Sequence, residues 1–158
     1  MKAKQGVLDL LNKILTADLT AINQYFVHAK MCANWGYERL HHHVRQRSFD
    51  EMKDAEELIE HILYLEGVPN VQRLNSVHVG ETVPEQFKAD LKAEQEMLAL
   101  LSEGVVHCTK IGDFTTRHMF EDMVKDVDDH IDWIETQMET IKQIGLETYL
   151  AEQIKKES

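Results

Sequence analysis

The chain has 158 residues, of which 43% are apolar and 28% are charged, so it can bury a core and does not have a disordered composition. Its 17 basic and 28 acidic residues give a formal net charge of −11, which argues against nucleic acid as a partner and is compatible with cation handling. Seven glycines and two prolines disfavour an all-β fold, and no apolar run reaches the ~18 residues of a membrane span.

Five amphipathic segments follow in chain order, at residues 5–34, 37–65, 84–111, 114–144 and 147–155. Apolar residues recur every three or four positions in the four long segments, which predicts helices with one buried face. Gly36 separates the first two helices, and Gly112 with Asp113 separates the third and fourth, so each pair is predicted to form a hairpin. Thr82 and Glu85 match a capping box that begins the third helix.

The connection between the second and third helices is about 17 residues long and contains Pro69. Two helical hairpins joined by a long middle connection are typical of one variant of the four-helix bundle. We therefore predict an all-α fold: a ferritin-like four-helix bundle with a long middle crossover and a short fifth helix. We expect one domain over residues 1–158.

A residue with metal-binding chemistry interrupts the inward apolar stripe of each long helix. On the second helix the predicted stripe is Val44, Ser48, Glu51, Ala55, Leu58, Ile62 and Leu65. The four interruptions are Asp18, Glu51, Glu94 and His130, and Asp54 shares the face of Glu51. Burying several carboxylates without compensation is costly, so the coincidence predicts a shared polar site. That site is either a metal centre or a hydrogen-bonded cluster with water that includes Tyr25.

Five segments resemble bacterioferritins, and the resemblance extends over essentially the whole chain. They are A-I-N-Q-Y-F-V-H-A (21–29), N-W-G (34–36), F-D-E-M-K-D-A-E (49–56), I-L-Y-L-E-G-V-P-N (62–70) and H-I-D-W-I-E (130–135). The resemblance implies a hollow shell of twenty-four subunits, built from two-fold dimers, that stores ferric mineral. It also implies haem at the two-fold interfaces and a di-iron ferroxidase centre inside each bundle.

Three of the six ferroxidase ligands that the resemblance implies are retained. The bridging Glu of the second helix is Glu51, the terminal Glu of the third is Glu94, and the His of the fourth is His130. These three side chains can hold one metal ion weakly, with water in the remaining positions.

The other three ligand positions differ from the family pattern. Asp18 replaces a Glu of the first helix, Asp54 replaces a His of the second, and Val127 replaces the second bridging Glu. Because Val127 cannot coordinate a metal, the double carboxylate bridge between two irons is lost. We therefore expect the paired oxidation of two Fe(II) ions to be weak or absent.

Met52 lies on a second face of its helix, about 100° around from Glu51. From its apolar stripe alone, Met52 is a packing residue of a subunit interface. The resemblance implies instead that Met52 is a haem axial ligand, with the same residue of the two-fold partner on the other side, giving one haem b per dimer. The residues that would line the haem pocket are Leu19, Ile22, Asn23, Phe26, Phe49, Lys53 and Ile59.

Three functions of different classes follow. The first is a haem-binding iron-storage subunit, in which haem carries electrons for iron release and a companion subunit with an intact centre performs most of the ferroxidation. The second is an active ferroxidase that oxidises Fe(II) to Fe(III) at the altered carboxylate-rich site. The third is a structural shell subunit with neither activity.

The resemblance also implies the partners: a homo- or hetero-oligomeric 24-mer and a ferredoxin-type electron donor. The net charge and the lack of a long apolar run predict neither nucleic acid nor membrane as a partner. Cys32 and Cys108 have no CxxC spacing, which favours unpaired thiols and a cytoplasmic location.

Overall fold

The computed structural model describes residues 1–156 and contains five α-helices. They are α1 (Val7–Trp35), α2 (Glu38–Tyr64), α3 (Val83–Ile111), α4 (Phe114–Ile144) and α5 (Leu146–Gln153). Every predicted helix is present, and no boundary differs from its prediction by more than two residues. There is no β-strand within residues 1–156, so the all-α prediction is confirmed. The same residues include no helix with the combination of length and apolarity that a membrane crossing requires.

The two predicted hairpins are formed by α1 with α2 and by α3 with α4, and α1 also packs against α3. Gly36 ends α1 at φ 88° and Gly112 ends α3 at φ 76°, both in the left-handed region. A side chain would be strained at either position, so glycine stops each helix and allows the chain to turn back. These short turns make the helices of each pair antiparallel.

The start of α3 carries the predicted cap. The Thr82 hydroxyl accepts a hydrogen bond from the Glu85 amide at 3.3 Å. The Glu85 carboxylate in turn accepts from the amide of Glu81 at 2.8 Å, one residue before the cap. Both bonds satisfy amides at the helix start that have no partner within the helix.

The long crossover between α2 and α3 is held along one face of α1. Four of its backbone amides, at Asn70, Asn75, His78 and Gly80, donate to side chains of α1 over 2.8–3.1 Å. The acceptors are Asn12, Thr20, Gln24 and His28, whose spacing in multiples of four places them on one helix face. Because His28 Nε2 accepts from Gly80, its Nδ1 carries the proton and donates to Asp90 on α3 at 2.9 Å. The crossover is therefore held along α1 by a series of hydrogen bonds.

The apolar core consists of two large clusters along the bundle and a small third one formed by Ala21, Tyr25, Ala29 and Val44. One large cluster includes Leu15, Ala55, Met97 and Val127, and the other includes Cys32, Leu40, Phe87 and Ile134. In each long helix, the predicted polar residue lies in sequence between the members of the two large clusters. Asp18, Glu51, Glu94 and His130 are all buried, so the polar site predicted from the four interruptions forms in the bundle interior.

Candidate metal centre

Three carboxylates from α1 and α2 meet inside the bundle. Asp18 comes from α1, whereas Glu51 and Asp54 lie three residues apart on one face of α2. Each offers a carboxylate oxygen, and these oxygens lie within 4.8 Å of one another. We call Asp18, Glu51 and Asp54 the acidic cluster. Carboxylate oxygens are the ligands that hard divalent cations prefer.

Glu51 in the acidic cluster is paired with Arg47, whereas Asp18 has no counter-charge in contact with it. Its side chain is fully buried, and within residues 1–156 no hydrogen-bond donor reaches its ionised carboxylate; Glu51 can share a hydrogen bond with it only when one of the two acids is protonated. Burial raises the pKa of Asp18 well above its ordinary value, and the neighbouring Glu51 and Asp54 raise it further. A buried anion without a donor is costly, so this carboxylate fits a bound cation or a bound proton.

The pKa values of the other two acids of the cluster, Asp54 and Glu51, are also raised. Burial, followed by the charges of Glu51 and Asp126, raises the pKa of Asp54 to about 7. Burial also raises the pKa of Glu51, although the nearby Arg47 opposes that increase. A divalent cation that binds to the acidic cluster would therefore displace protons from it.

A second group of buried side chains surrounds Glu94 on α3. The Tyr25 hydroxyl donates to Glu94 Oε1, His130 Nδ1 lies 3.3 Å from the same oxygen, and Arg47 Nη2 lies 3.5 Å from Oε2. Burial alone would raise the pKa of Glu94, but His130, Arg47 and Tyr25 together lower it. We call Tyr25, Arg47, Glu94 and His130 the Glu94 cluster. Unlike Asp18, its carboxylate is compensated by the protein itself.

Arg47 joins the two clusters and is a site residue that the sequence analysis does not identify. Its Nη2 lies 2.5 Å from Glu51 Oε1, one helical turn along α2, and its side chain is only 11% exposed. Burial opposes the charge of Arg47, but Glu51 and Glu94 raise its pKa above the ordinary value. The one available signal is its spacing of four residues from Glu51, which many surface ion pairs share.

Aromatic rings continue from the centre through the bundle. The rings of Tyr25 and His130 meet edge to face at 5.4 Å, and His130 lies nearly parallel to Trp133 at 6.0 Å. Trp133 stacks on His43 at 3.8 Å. Val127, one turn before His130, is buried among apolar side chains and has no donor atom for a metal.

An open pocket of about 620 Å³ lies beside the centre. It shares Arg47, Asp54 and His130 with the two clusters, and five of its lining residues are acids: Asp50, Asp54, Glu57, Asp126 and Asp129. An acidic mouth concentrates cations by electrostatic attraction. The pocket therefore gives cations a route to the half-buried Asp54.

A separate groove of about 740 Å³ lies on the outer face of α1 and α2. Met52 lies in it with 53% of its surface exposed. Five of the predicted haem-pocket residues line this groove: Leu19, Ile22, Phe49, Lys53 and Ile59. The other two, Asn23 and Phe26, are exposed on α1 and are not among the lining residues.

The bundle, its long crossover and the buried carboxylates define a ferritin-like protein, and the model of the family described as "Ferritin-like domain" matches residues 8–144. The chain is 47% identical to the bacterioferritin of Mycolicibacterium paratuberculosis and to the bacterioferritin BfrA of Mycobacterium tuberculosis, over 96% of each chain. It is 43% identical to the bacterioferritin of Streptomyces coelicolor, over 96% of this chain and 90% of the relative. The chain therefore belongs to the bacterioferritin family.

Proposed function

We propose that this chain is an iron-storage subunit of a multi-subunit shell and that it binds haem b on the outer face of α1 and α2. The observation that carries the haem assignment is the groove around Met52, where a half-exposed thioether lies among apolar side chains. Family membership supports iron storage and the multi-subunit shell, and we add to the proposal a cytoplasmic location and a ferredoxin-type electron donor.

The side chains of the groove fit a haem group. Met52 offers a sulfur ligand, and Leu19, Ile22, Phe49 and Ile59 offer apolar surface on which a flat macrocycle can be buried. A second subunit across a two-fold axis would supply the same residues to the other side, giving one haem per dimer. When bound, haem supplies one-electron redox chemistry, which serves the reduction of stored ferric iron for release.

A haem titration of the purified protein tests this assignment. The native protein supplied with haem is expected to develop a Soret band at one haem per two subunits. Met52→Leu keeps the apolar volume but removes the sulfur, so the band should be lost. Met138→Leu is the matched control on α4 and should bind haem normally. Unchanged haem binding by Met52→Leu would refute the assignment.

We further propose that this chain contributes little ferroxidation and that a companion subunit with an intact centre performs most of it. The support is Val127, which has no ligand atom, together with the compensation of Glu94 by Tyr25 and Arg47. Stopped-flow mixing of Fe(II) and O2 with the pure chain is expected to show slow oxidation. Addition of a competent companion subunit during assembly should restore fast oxidation.

The alternative function is an active ferroxidase at the altered site. The acidic cluster favours it, because Asp18 is buried without a partner within residues 1–156 and its neighbours supply two more carboxylates. Under this alternative the pure chain oxidises Fe(II) rapidly, and Asp18→Asn abolishes the reaction. Fast oxidation by the pure native shell would therefore replace the first proposal for the buried centre while leaving the haem assignment unaffected.

A further inference from the structure

We infer that Arg47 is a built-in cation of the Glu94 cluster and that the centre therefore holds a single divalent metal ion, on Asp18, Glu51 and Asp54. The inference rests on the proposed function for the identity of the ion as iron, and it adds the position of that ion and the residue that limits the centre to one. It makes Arg47 the residue that determines how many metal ions the centre accepts.

The contacts of Arg47 place a permanent charge between two carboxylates. Its Nη2 lies 2.5 Å from Glu51 Oε1 and 3.5 Å from Glu94 Oε2, and all three side chains are buried. A guanidinium group is not deprotonated in proteins and carries donors in a rigid planar fork. Arg47 therefore joins α2 to α3 across the bundle, as a metal ion bridging the same two carboxylates would.

A metal ion on Glu51, Glu94 and His130 would compete with Arg47. Such an ion needs carboxylate oxygens that already face the guanidinium, and Glu94 Oε1 already accepts a hydrogen bond from Tyr25. It would also lie a few ångströms from a buried positive charge, where repulsion is weakly screened. The Glu94 cluster is thus occupied by a side chain of the protein itself.

The acidic cluster shares Glu51 with Arg47, but the ion pairs of Arg47 within residues 1–156 are with Glu51 and Glu94, and Asp18 and Asp54 form none with it. The three carboxylate oxygens of the cluster lie within 4.8 Å of one another, and no hydrogen-bond donor in residues 1–156 reaches the ionised carboxylate of the fully buried Asp18. We therefore place the cation in the acidic cluster because the buried Asp18 has no donor there, and not because the cluster contains three acids. The assignment differs from the ligand set implied by the resemblance, in which Glu51, Glu94 and His130 retain the metal.

The charge balance agrees with one ion. Asp18, Glu51, Asp54 and Glu94 contribute four negative charges when ionised, and Arg47 contributes one positive charge. One divalent ion leaves a single negative charge, and the hydrogen bond that the Tyr25 hydroxyl donates to Glu94 helps to stabilise it. A second divalent ion would reverse the sign and place the excess positive charge beside Arg47.

An anaerobic Co2+ titration of the assembled protein tests the inference, because Co2+ reports its coordination by visible absorption and does not enter the Fe(II) oxidation reaction. The native chain is expected to bind one tight Co2+ per subunit. Arg47→Gln, which removes the charge, should bind two, and Arg47→Lys, which keeps it, should bind one. Arg117→Gln, a change in an exposed ion pair on α4, is the matched control and should bind one. Two tight ions in the native protein, or one in Arg47→Gln, would overturn the inference.

A second variant keeps the test decisive if Arg47→Gln does not fold. Asp18→Asn is expected to weaken the affinity for the single Co2+ ion by more than about tenfold. Removing a residue that only hydrogen-bonds to a metal ligand already costs about tenfold or more in affinity. Full affinity in Asp18→Asn would place the ion in the Glu94 cluster and contradict the inference.

The outcome is separable from that of the proposed function. A native shell that binds no haem, or stores no iron, would refute the proposed function without changing the Co2+ stoichiometry. Conversely, two Co2+ ions per subunit would refute the role of Arg47 while leaving haem binding at Met52 unaffected.

Discussion

The acidic cluster and the Glu94 cluster are neighbours inside one bundle, but they solve the problem of buried charge in opposite ways. Around Glu94, a tyrosine hydroxyl, an arginine and a histidine lie against the carboxylate and lower its pKa. In the acidic cluster, Asp18 lies against other acids, which together with burial raise its pKa. Polar residues at equivalent depth can thus stabilise the fold or destabilise it, depending on whether the protein supplies the counter-charge.

This difference has a functional meaning. A cluster that is compensated by the protein gains little from a metal ion, because an ion must first displace the existing partners. A cluster left without compensation is costly in the metal-free protein and gains the most when a cation binds. The unfavourable arrangement of Asp18 is therefore the feature expected of a binding site.

Loss of the arginine should have the largest effect on stability. Arg47→Met leaves Glu51 and Glu94 buried without their cation, and the free energy of unfolding of the metal-free protein should fall by about 3–5 kcal/mol. Urea unfolding in the presence of a chelator measures this loss. Arg117→Met removes an ion pair with a half-exposed partner and should cost less than about 1 kcal/mol. Equal losses in the two variants would show that the buried ion pairs of Arg47 stabilise the fold no more than the exposed pair of Arg117.

Tyr25→Phe probes the same compensated cluster without removing a charge. It deletes the hydroxyl that donates to Glu94, and the metal-free protein should lose about 1.5–3 kcal/mol, the range for hydrogen bonds to charged groups. Tyr64→Phe is the control, because its hydroxyl is on an exposed residue and donates to the sulfur of Met1. A negligible loss in Tyr25→Phe would mean that Glu94 does not depend on this donor.

Asp18→Asn should change stability in the opposite direction. It removes a buried carboxylate with no partner in residues 1–156, so the metal-free protein should gain on the order of 1 kcal/mol. The gain should disappear with saturating divalent metal, because only the native cluster is stabilised by binding. Thermal unfolding with and without Co2+ measures both effects, with the exposed Asp128→Asn as control. A loss of stability in metal-free Asp18→Asn would contradict the comparison.

The smallest expected effect is on the pH dependence of stability, at a buried histidine outside both clusters. His61 lies towards the end of α2, and burial lowers its pKa, although Asp113 opposes the shift. The unfolded imidazole therefore binds a proton more readily than the folded one, so stability is lost as the pH falls below about 6.5. His61→Gln should reduce this loss by about 1 kcal/mol or less, measured by urea unfolding at pH 5 and pH 8. The exposed His118→Gln is the control for replacing a histidine at the surface.

The fold could be predicted because its signals are local. The apolar spacing predicts all five helices, and Gly36 and Gly112 predict the turns. Each of these signals depends only on residues within one or two helical turns. The course of the crossover was not predictable, because the four α1 side chains that accept its amides are ordinary polar residues more than fifty positions away.

The site was predictable in part for the same reason. Asp18, Glu51, Glu94 and His130 were identifiable because each interrupts an apolar stripe, and the structure buries all four. Whether they share one metal ion, and which of them hold it, depends on contacts between helices. The groove at Met52 is similar: its stripe was visible in the sequence, whereas the positions of Asn23 and Phe26 outside the lining depend on how α1 packs against α2.

The sequence by itself determined the helices, their order, the buried faces and the acids that interrupt them. Only the tertiary structure decided that Arg47 extends inward. A long basic side chain on α2 would ordinarily reach solvent, and four residues of spacing from Glu51 do not distinguish an exposed pair from a buried one. In the folded chain the guanidinium lies between two buried carboxylates, Glu51 one turn along α2 and Glu94 on α3, and the contact with Glu94 exists only once α2 and α3 have packed.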